Sequence, residues 1–401
     1  MSLITGIFDT TMNPEELNTR SFAGQMLRLF PNGSAPMFAL SSQSGKSTAK
    51  SSTHGYFSKT LTFISTLFNG AEANTAETSL TVDSTEGMME NMVLHNPRTR
   101  ENYRVVSITS ATVVVVTRAF GRVAAAAINN DDKLLHVGTA FMEGSTRPGA
   151  RQLETTYVAN YTQIFRNAWG LTDTARASMA EMGYSNIAES KKDCSMFHSM
   201  DAEGAIIWGQ AKMDTTGSHP LHATQGVVDS IYQYAPANAN AAASTTDYGE
   251  LVDLVAPAFA YSTDMSNPTE RVAFVDRLAM KVITDVGRKS GNVQIVQSET
   301  SFGMKFTKFQ FYDGTINLLQ HPLMNGLDST GGRALIMDMA ALKLAYMNGR
   351  DTIPEEYGIN GKQVELGTDG VGGSLTTEFA VELINPFACA YVTGLTAGVA
   401  E

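Results

Sequence analysis

Residues 41–50 read SSQSGKSTAK, and the choice of fold turns on the GKST at 45–48. GKST is how a phosphate-cradling loop ends, and such a loop would make the chain a nucleotide-binding protein. The full spacing needs a glycine five residues before Gly45, and Leu40 stands there. It also needs a helix N-terminus aimed at the phosphates. Beyond Lys46 the sequence continues STAKSSTHGYF, rich in Ser and Thr and without apolar residues at helical spacing. The stretch therefore reads as an extended polar segment. A nucleotide-dependent enzyme built on Lys46 stays as a rival reading that needs both flanks to be wrong.

Working outward, residues 1 to about 60 mix Ser, Thr, Asn and Pro with single hydrophobics such as Phe30, Met37 and Phe38. Such a segment cannot bury a core of its own and reads as an arm that takes its order from neighbours. From 75 to 138 the character changes to short β-type runs, SLTVDS, NMVLHN, NYRVVSIT, ATVVVVTRAF and KLLHVG, separated by the turn clusters HNPRTREN, SITSAT and NNDD. That rhythm predicts a small antiparallel barrel or sandwich, a self-contained β domain able to fold when excised. EGSTRPGA (143–150) reads as a loop and TYVANYTQIF (156–165) as one strand.

Residues 173–213 carry the strongest helical pattern, with Cys194, Phe197, Met200, Gly204 and Trp208 predicted to share one packed face. APANANAAAST (235–245) reads as a surface loop. Asp247 and Glu250 in DYGE form a capping pair, predicting a helix start. Asn267, Pro268 and Glu270 in NPTE predict another, continuing through RVAFVDRLAMKVITDV (271–286). KFTKFQFYDGTINLLQH (305–321) alternates at period two on both sides of Asp313-Gly314, a hairpin signal. Two late β-type runs follow in SLTTEFAVELINPFACAYVTGL. Helices and antiparallel strands mixed without a βαβ repeat make the class α+β.

Composition narrows the function. Of the 401 residues only 17% are charged while 43% are hydrophobic, which suits a protein with much of its surface covered by other subunits, or equally a single large enzyme with deep burial. The net charge of -11 and the lack of a basic run argue against gripping nucleic acid. Cys194 and Cys389 lie far apart, so no disulfide framework is expected and a reducing compartment fits. No secretory signal is read at the N-terminus, and no window approaches the ~18 apolar residues of a membrane span.

The search for chemistry ends without a site. Cys194 and His198 share a helix face and His219 and His222 follow, but no further pair at ligand spacing completes a zinc site, so a buried Cys and a surface His are expected. Glu355-Glu356 and Asp131-Asp132 read as solvated charge in turns. TDGVGGSL (368–375) lacks the order of a dinucleotide-binding loop and reads as a hairpin or flexible loop. The 20 methionines scatter without a stripe and fit adaptable packing. No catalytic, cofactor-binding or metal-ligating residue is assigned, and no cofactor is expected.

The segments APMFAL, AFMEGSTRPGARQ, ANYTQIF, GRALIMDMAALKLAYM and LTTEFAVELINPFACAYVTGL, in this order between about 20 and 395, resemble recurrent segments of one subgroup of tailed-bacteriophage major capsid proteins of the Hong Kong 97 fold. The resemblance implies an N-terminal arm over 1–55 and an extended loop over 56–165 that includes the 75–138 β insertion. It further implies a peripheral domain over 166–245 with a spine helix, and an axial domain over 246–401 with strands returning to the peripheral domain. It implies a non-enzymatic protein assembling as hexamers and pentamers into an icosahedral shell around double-stranded DNA, without sequence-specific DNA contacts and without a membrane. Expected partners are a scaffolding protein separate from this chain or removed by prior cleavage, and a portal protein; the β insertion either braces neighbouring subunits or stands outward as a platform for a decoration protein. Assembly is expected in the host bacterial cytoplasm and the mature location in the virion capsid. The alternative is another phage structural component, such as a tail or adhesive protein; no internal repeat favours it.

Overall fold

The computed structural model describes residues 35–41, 45–59, 65–150, 152, 155–178, 186–243, 246–263, 269–290, 295–301, 304–311, 313–325, 331–359 and 369–396. The chain divides into two compact units, Phe57–Tyr157 and the remainder.

In the Phe57–Tyr157 unit, period-two alternation dictates the architecture. In the run VVVV, Val114 and Val116 turn inward while Val113 and Val115 stay partly exposed, and Met92 with Leu94 and Tyr103 with Val105 do the same on neighbouring strands. The strands Ser65–Leu67, Lys133–Thr139, Met92–His95, Asn102–Ile108, Val113–Thr117 and Ser79–Thr81 line up in that order as one six-stranded antiparallel sheet. A bridge between Phe68 and Val82, just past the first and last strands, brings the two ends of the sheet together, so it curls into a small barrel. The β segment therefore begins at Ser65, ahead of the expected 75, because Leu67 and Phe68 supply the strand that closes it.

Among the described residues the remaining unit holds a two-stranded ribbon of Lys212–Asp214 with Leu221–Ala223 and two large sheets. One is seven-stranded, in the order Ala239–Ala241, Ala390–Leu395, Gly332–Met337, Glu270–Val275, Thr315–Gln320, Met304–Gln310, Ile295–Ser301. The hairpin expected around Asp313-Gly314 is present, with Met304–Gln310 antiparallel to Thr315–Gln320. The other is five-stranded and centres on the long strand Gly370–Leu383, which pairs with Gln163–Thr172 on one edge and with Leu342–Met347 and Ile353–Tyr357 on the other. The helix Asn186–Trp208 packs on this second sheet, and Ala202, Ile206 and Ile207 meet Phe165, Phe379, Leu342 and Tyr391 in one core. Helices Tyr248–Val255 and Arg277–Ser290 close a second core against the seven-stranded sheet. Asp247 caps the first of these, its side chain accepting from Glu250 N at 2.7 Å.

Several expectations are corrected. Glu270–Val275 is a central strand, not the start of a helix; every residue from Ala273 to Val275 is buried between two neighbours, and burial on both faces overrides local helix signals. The helix begins only at Arg277, where Asp276 Oδ1 accepts from Ala279 N; Asn267 and Pro268 lie outside the described residues. The segment 173–213 holds a short helix Asp173–Ala177, the helix Asn186–Trp208 and a strand Lys212–Asp214. Its packed face runs through Cys194, His198, Ala202, Glu203, Ile206 and Ile207, whereas Phe197 is 57% exposed. Within the expected loop 235–245, Ala239–Ala241 runs parallel to Ala390–Leu395 as an edge strand. TYVANYTQIF is two strands broken at Thr162, because Thr156–Tyr161 pairs with Thr53–Ser58 and Gln163–Thr172 with Gly370–Leu383. The glycine cluster is neither hairpin nor loop from Gly370 onward: it is strand interior, and a Cβ on Gly373 would stand 2.3 Å from the Glu355 carbonyl oxygen.

Candidate functional site

Several buried polar residues of the larger unit bind the chain segments 36–56 and 158–162. The sequence 35–41, APMFALS, forms the short helix Pro36–Ser41, with proline in the first turn where its missing N–H costs nothing. Met37 is fully buried in the main core and the Phe38 ring lies tilted against Phe379, centroids 6.3 Å apart. The backbone N–H groups that open this helix are taken by a side chain 166 residues away: Met37 N donates to Glu203 Oε1 at 2.7 Å and Phe38 N to Oε2 at 2.6 Å. His321 Nε2 reaches Glu203 Oε1 at 2.6 Å, and His321 Nδ1 accepts from Leu323 N at 3.2 Å. That second bond puts the ring proton on Nε2, so His321 donates to the carboxylate. Glu203 and His321 are both 0% exposed. A buried carboxylate is tolerable only when its lone pairs are met, and here three donors meet them.

After Gly45, whose φ of +91° is a left-handed turn, Lys46–Ala49 runs parallel to Leu342–Met347. Lys46 of the GKST run pairs with Asp351 and stands 4.8 Å from the Tyr346 ring centroid. Its charge is met within the chain, and the extended reading holds over Lys46–Ala49, while Ser41 ends the helix Pro36–Ser41. Ser47 Oγ donates to Glu382 Oε2 at 2.7 Å, and His54 Nε2 pairs with the same oxygen at 2.8 Å. Tyr56 Oη donates to the Leu383 carbonyl at 2.6 Å; burial, then the nearby Tyr234 and Glu382, push its pKa upward. On the returning strand, buried Asn160 donates to the carbonyls of Gln225 (3.0 Å) and Val381 (2.7 Å) and accepts from Gln225 N (2.7 Å). Thr162 Oγ1 donates to Glu378 Oε1 at 2.8 Å. One strand, Gly370–Leu383, thus receives both chain segments through Glu378, Val381, Glu382 and Leu383.

The residues weighed as chemical candidates lie elsewhere. His198 is buried, not on the surface: Nδ1 meets Asn167 Oδ1 at 2.8 Å and Nε2 meets Thr377 Oγ1 at 2.7 Å, and burial lowers its pKa. Cys194 is buried on the same face, its thiol pushed up by burial. His219 and His222 belong to the turn and strand that follow Lys212–Asp214. No cluster of metal-ligating side chains occurs among the described residues. Asp132 is not solvated charge: it is 7% exposed and accepts from Arg98 Nε at 2.7 Å and Asn96 Nδ2 at 3.0 Å. Glu355 and Glu356 lie on a strand, not in a turn; Glu356 pairs with Lys191 at 2.5 Å. Glu203, His321, Asn160 and Glu382 were not singled out from the sequence. The one available signal was Glu203 itself, a lone carboxylate in the otherwise apolar run AEGAIIW.

The profile of a family described as SU10 major capsid protein matches residues 5–396. The chain belongs to the SU10 major capsid protein family. A protein of Pseudomonas phage PaMx41 named "Major capsid protein" is 48% identical over 406 residues, covering 98% of this chain and 97% of its own. Solved structures similar to it include Microbacterium phage Oxtober96 (TM-score 0.46, 12% identity) and Mycobacterium phage Bobi (TM-score 0.44, 11% identity), each covering 96% of this chain and 97% of the other. This SU10 family member is a phage capsid protein, a subunit of a capsid shell, and its architecture is α+β. Among its described residues no helix is long and apolar enough to cross a membrane.

Proposed function

We propose that this capsid protein is the non-enzymatic building block of an icosahedral shell of hexamers and pentamers around double-stranded DNA, laid out as in the Hong Kong 97 fold. The observation that carries the reading is family membership across almost the whole chain, joined to a 48% identical major capsid protein covered nearly end to end. In this layout residues 1–55 are the arm, 56–165 the extended loop with its barrel, 166–245 the peripheral domain with the spine helix Asn186–Trp208, and 246–401 the axial domain with strands returning to the peripheral domain. The polar clamps around Glu203 and Gly370–Leu383 favour it, because arms and loops that bridge subunits need fixed roots to transmit many weak contacts into one durable shell. A separate scaffolding protein, a portal protein and a decoration protein seated on the barrel are the partners in this reading, and assembly takes place in the bacterial cytoplasm. An overall charge of -11 suits a wall that encloses DNA without gripping it.

The test is electron microscopy with light scattering of the full chain, purified alone and after co-expression with scaffolding candidates. Closed shells, or rings of five and six, are the expected result. A monodisperse monomer under every condition would refute the reading and return the tail-component alternative.

A further inference from the structure

We infer that Glu203 is the positioning residue of the N-terminal arm: it fixes where the arm leaves its own subunit, and correct shell closure depends on that fixed root. The inference deepens the shell reading and rests on it. Three observations carry it. First, Glu203 sits on the long helix Asn186–Trp208, fully buried, with both oxygens engaged by arm backbone donors at 2.7 and 2.6 Å. Withdrawing the helix Pro36–Ser41 would leave a buried carboxylate with His321 Nε2 alone among its present partners, which is the costliest way to break a buried charged network. Second, the apolar side of the same helix is committed as well, since Met37 is 0% exposed within the core that contains Ala202, Ile206 and Phe379. Third, only four residues separate Ser41 from Lys46, which is already paired to Leu344 in the sheet. At about 3.3–3.6 Å per residue so short a link keeps the helix on the subunit that owns the strand. The root Pro36–Ser41 is accordingly held on the subunit that owns the strand.

A residue that merely stabilised the fold would act on the whole unit. A positioning residue acts on the arm root and on assembly. The experiment uses the full chain co-expressed with its scaffolding protein and compares wild type with Glu203→Gln, which keeps the volume but replaces a double acceptor by one acceptor and one donor. Hydrogen exchange is read at the Met37 and Phe38 amides, in the long helix and in Gly370–Leu383, and particles are counted by electron microscopy. The expected result is exchange at the two arm amides raised about ten-fold or more, the long helix and strand changed by less than about two-fold, and shells replaced by open or irregular particles. Because Glu203→Gln could cost too much stability to purify, Phe38→Pro is a second route: it deletes one donor at a first-turn position that proline tolerates. Combined with Glu203→Gln it should add little beyond the lost Phe38–Phe379 ring contact, which Phe38→Leu measures separately with the donor kept, since the two changes cut the same hydrogen bond. Unchanged arm amides, arm amides released with normal shells, or strictly additive defects would each overturn the inference. If wild type itself builds no shells, the shell reading fails first, and the inference falls with it whatever the amides do.

Discussion

The two units spend their buried polar groups differently. In the Phe57–Tyr157 unit the ion pairs to buried carboxylates join residues close in sequence. Arg118 grips Glu101 through Nε and Nη2, both at 2.9 Å, and the Ala119 and Ala126 amides complete the carboxylate's shell from 18 and 25 residues away. Arg98 and Asp132 are 34 apart. In the larger unit the comparable contacts join Met37 to Glu203, Thr162 to Glu378, Tyr56 to Leu383 and Ser47 to Glu382, over separations of 166, 216, 327 and 335 residues. The barrel can be specified by a stretch of chain that sees only itself, while the larger unit is complete only when both ends of the chain have met. Long-range closure of this kind is slow to form.

The largest effect that would break this comparison is wholesale. Residues 57–157 expressed alone should give a dispersed NMR spectrum and one cooperative unfolding transition, because the barrel has its own curled sheet and its own core. A collapsed, undispersed spectrum would mean the locality of its contacts is not enough. Within that fragment or the full chain, Arg118→Met should cost about 3–5 kcal/mol, since it strands the fully buried Glu101. Burial works to raise the Glu101 pKa, and the bonds from Arg118, Ala119 and Ala126 more than reverse it. The comparison is sharpened if this loss is confined to the barrel's transition in calorimetry. It is broken if the larger unit melts with it.

Gly373→Ala applies the same logic to the larger unit. The added methyl would collide with the Glu355 carbonyl at 2.3 Å and the Trp169 indole nitrogen at 2.8 Å, so a loss of about 1–3 kcal/mol and a shifted Trp169 emission are expected. Unchanged stability would show that Ile353–Tyr357 can yield, and that this strand is held less tightly than its pairing suggests.

These residues also mark how much could be read in advance. The barrel was legible because period-two alternation and turn clusters are local signals, and the error there was confined to its first strand, whose partner lies some 70 residues later. The α+β class and the Asp313-Gly314 hairpin were legible for the same reason. The helix expected from Glu270 failed because its capping pattern is local while burial between two sheet neighbours is not. The glycines at 370–373 looked like a loop because nothing nearby announces that an indole and a carbonyl will press on them from 169 and 355. The arm root was partly legible: APMFAL was noticed, but its acceptor, Glu203, belongs to a helix whose buried face was assigned to the wrong stripe, through Phe197 instead of His198.

A smaller effect distinguishes the barrel by pH. The hydrogen bonds from half-exposed Arg98 hold the Asp132 carboxyl down to about 2, against an ordinary 3.8, with burial opposing and the Asn129 and Asn96 contacts adding. A depressed carboxyl contributes stability that is fully present above its unfolded value and is lost as pH falls through its folded one. Acid titration of the barrel should therefore show a loss between about pH 4 and pH 2, reduced in Asp132→Asn but not abolished, because Glu101 is also held below its ordinary value. An identical acid transition in that variant would assign the loss to another group.

The smallest effect is expected where the sequence looked most chemical. Lys46 has the neighbours of a phosphate-binding lysine in the one-dimensional text, but in space it faces Asp351 and the Tyr346 ring, with both partners of the ion pair about half exposed. An exposed pair contributes ~0–1 kcal/mol, so Lys46→Ala should move the melting temperature of the larger unit little and leave the barrel's unchanged. Isothermal titration of the wild type with ATP should show no binding for the variant to abolish, because no helix N-terminus follows Lys46: the chain continues as a strand to Ala49 and then as the ribbon strand Thr53–Ser58. ATP affinity present in the wild type and lost in Lys46→Ala would overturn that argument at its root, since it would require the strand Lys46–Ala49 to leave Leu342–Met347 and the larger unit to hold a second arrangement of its own edge.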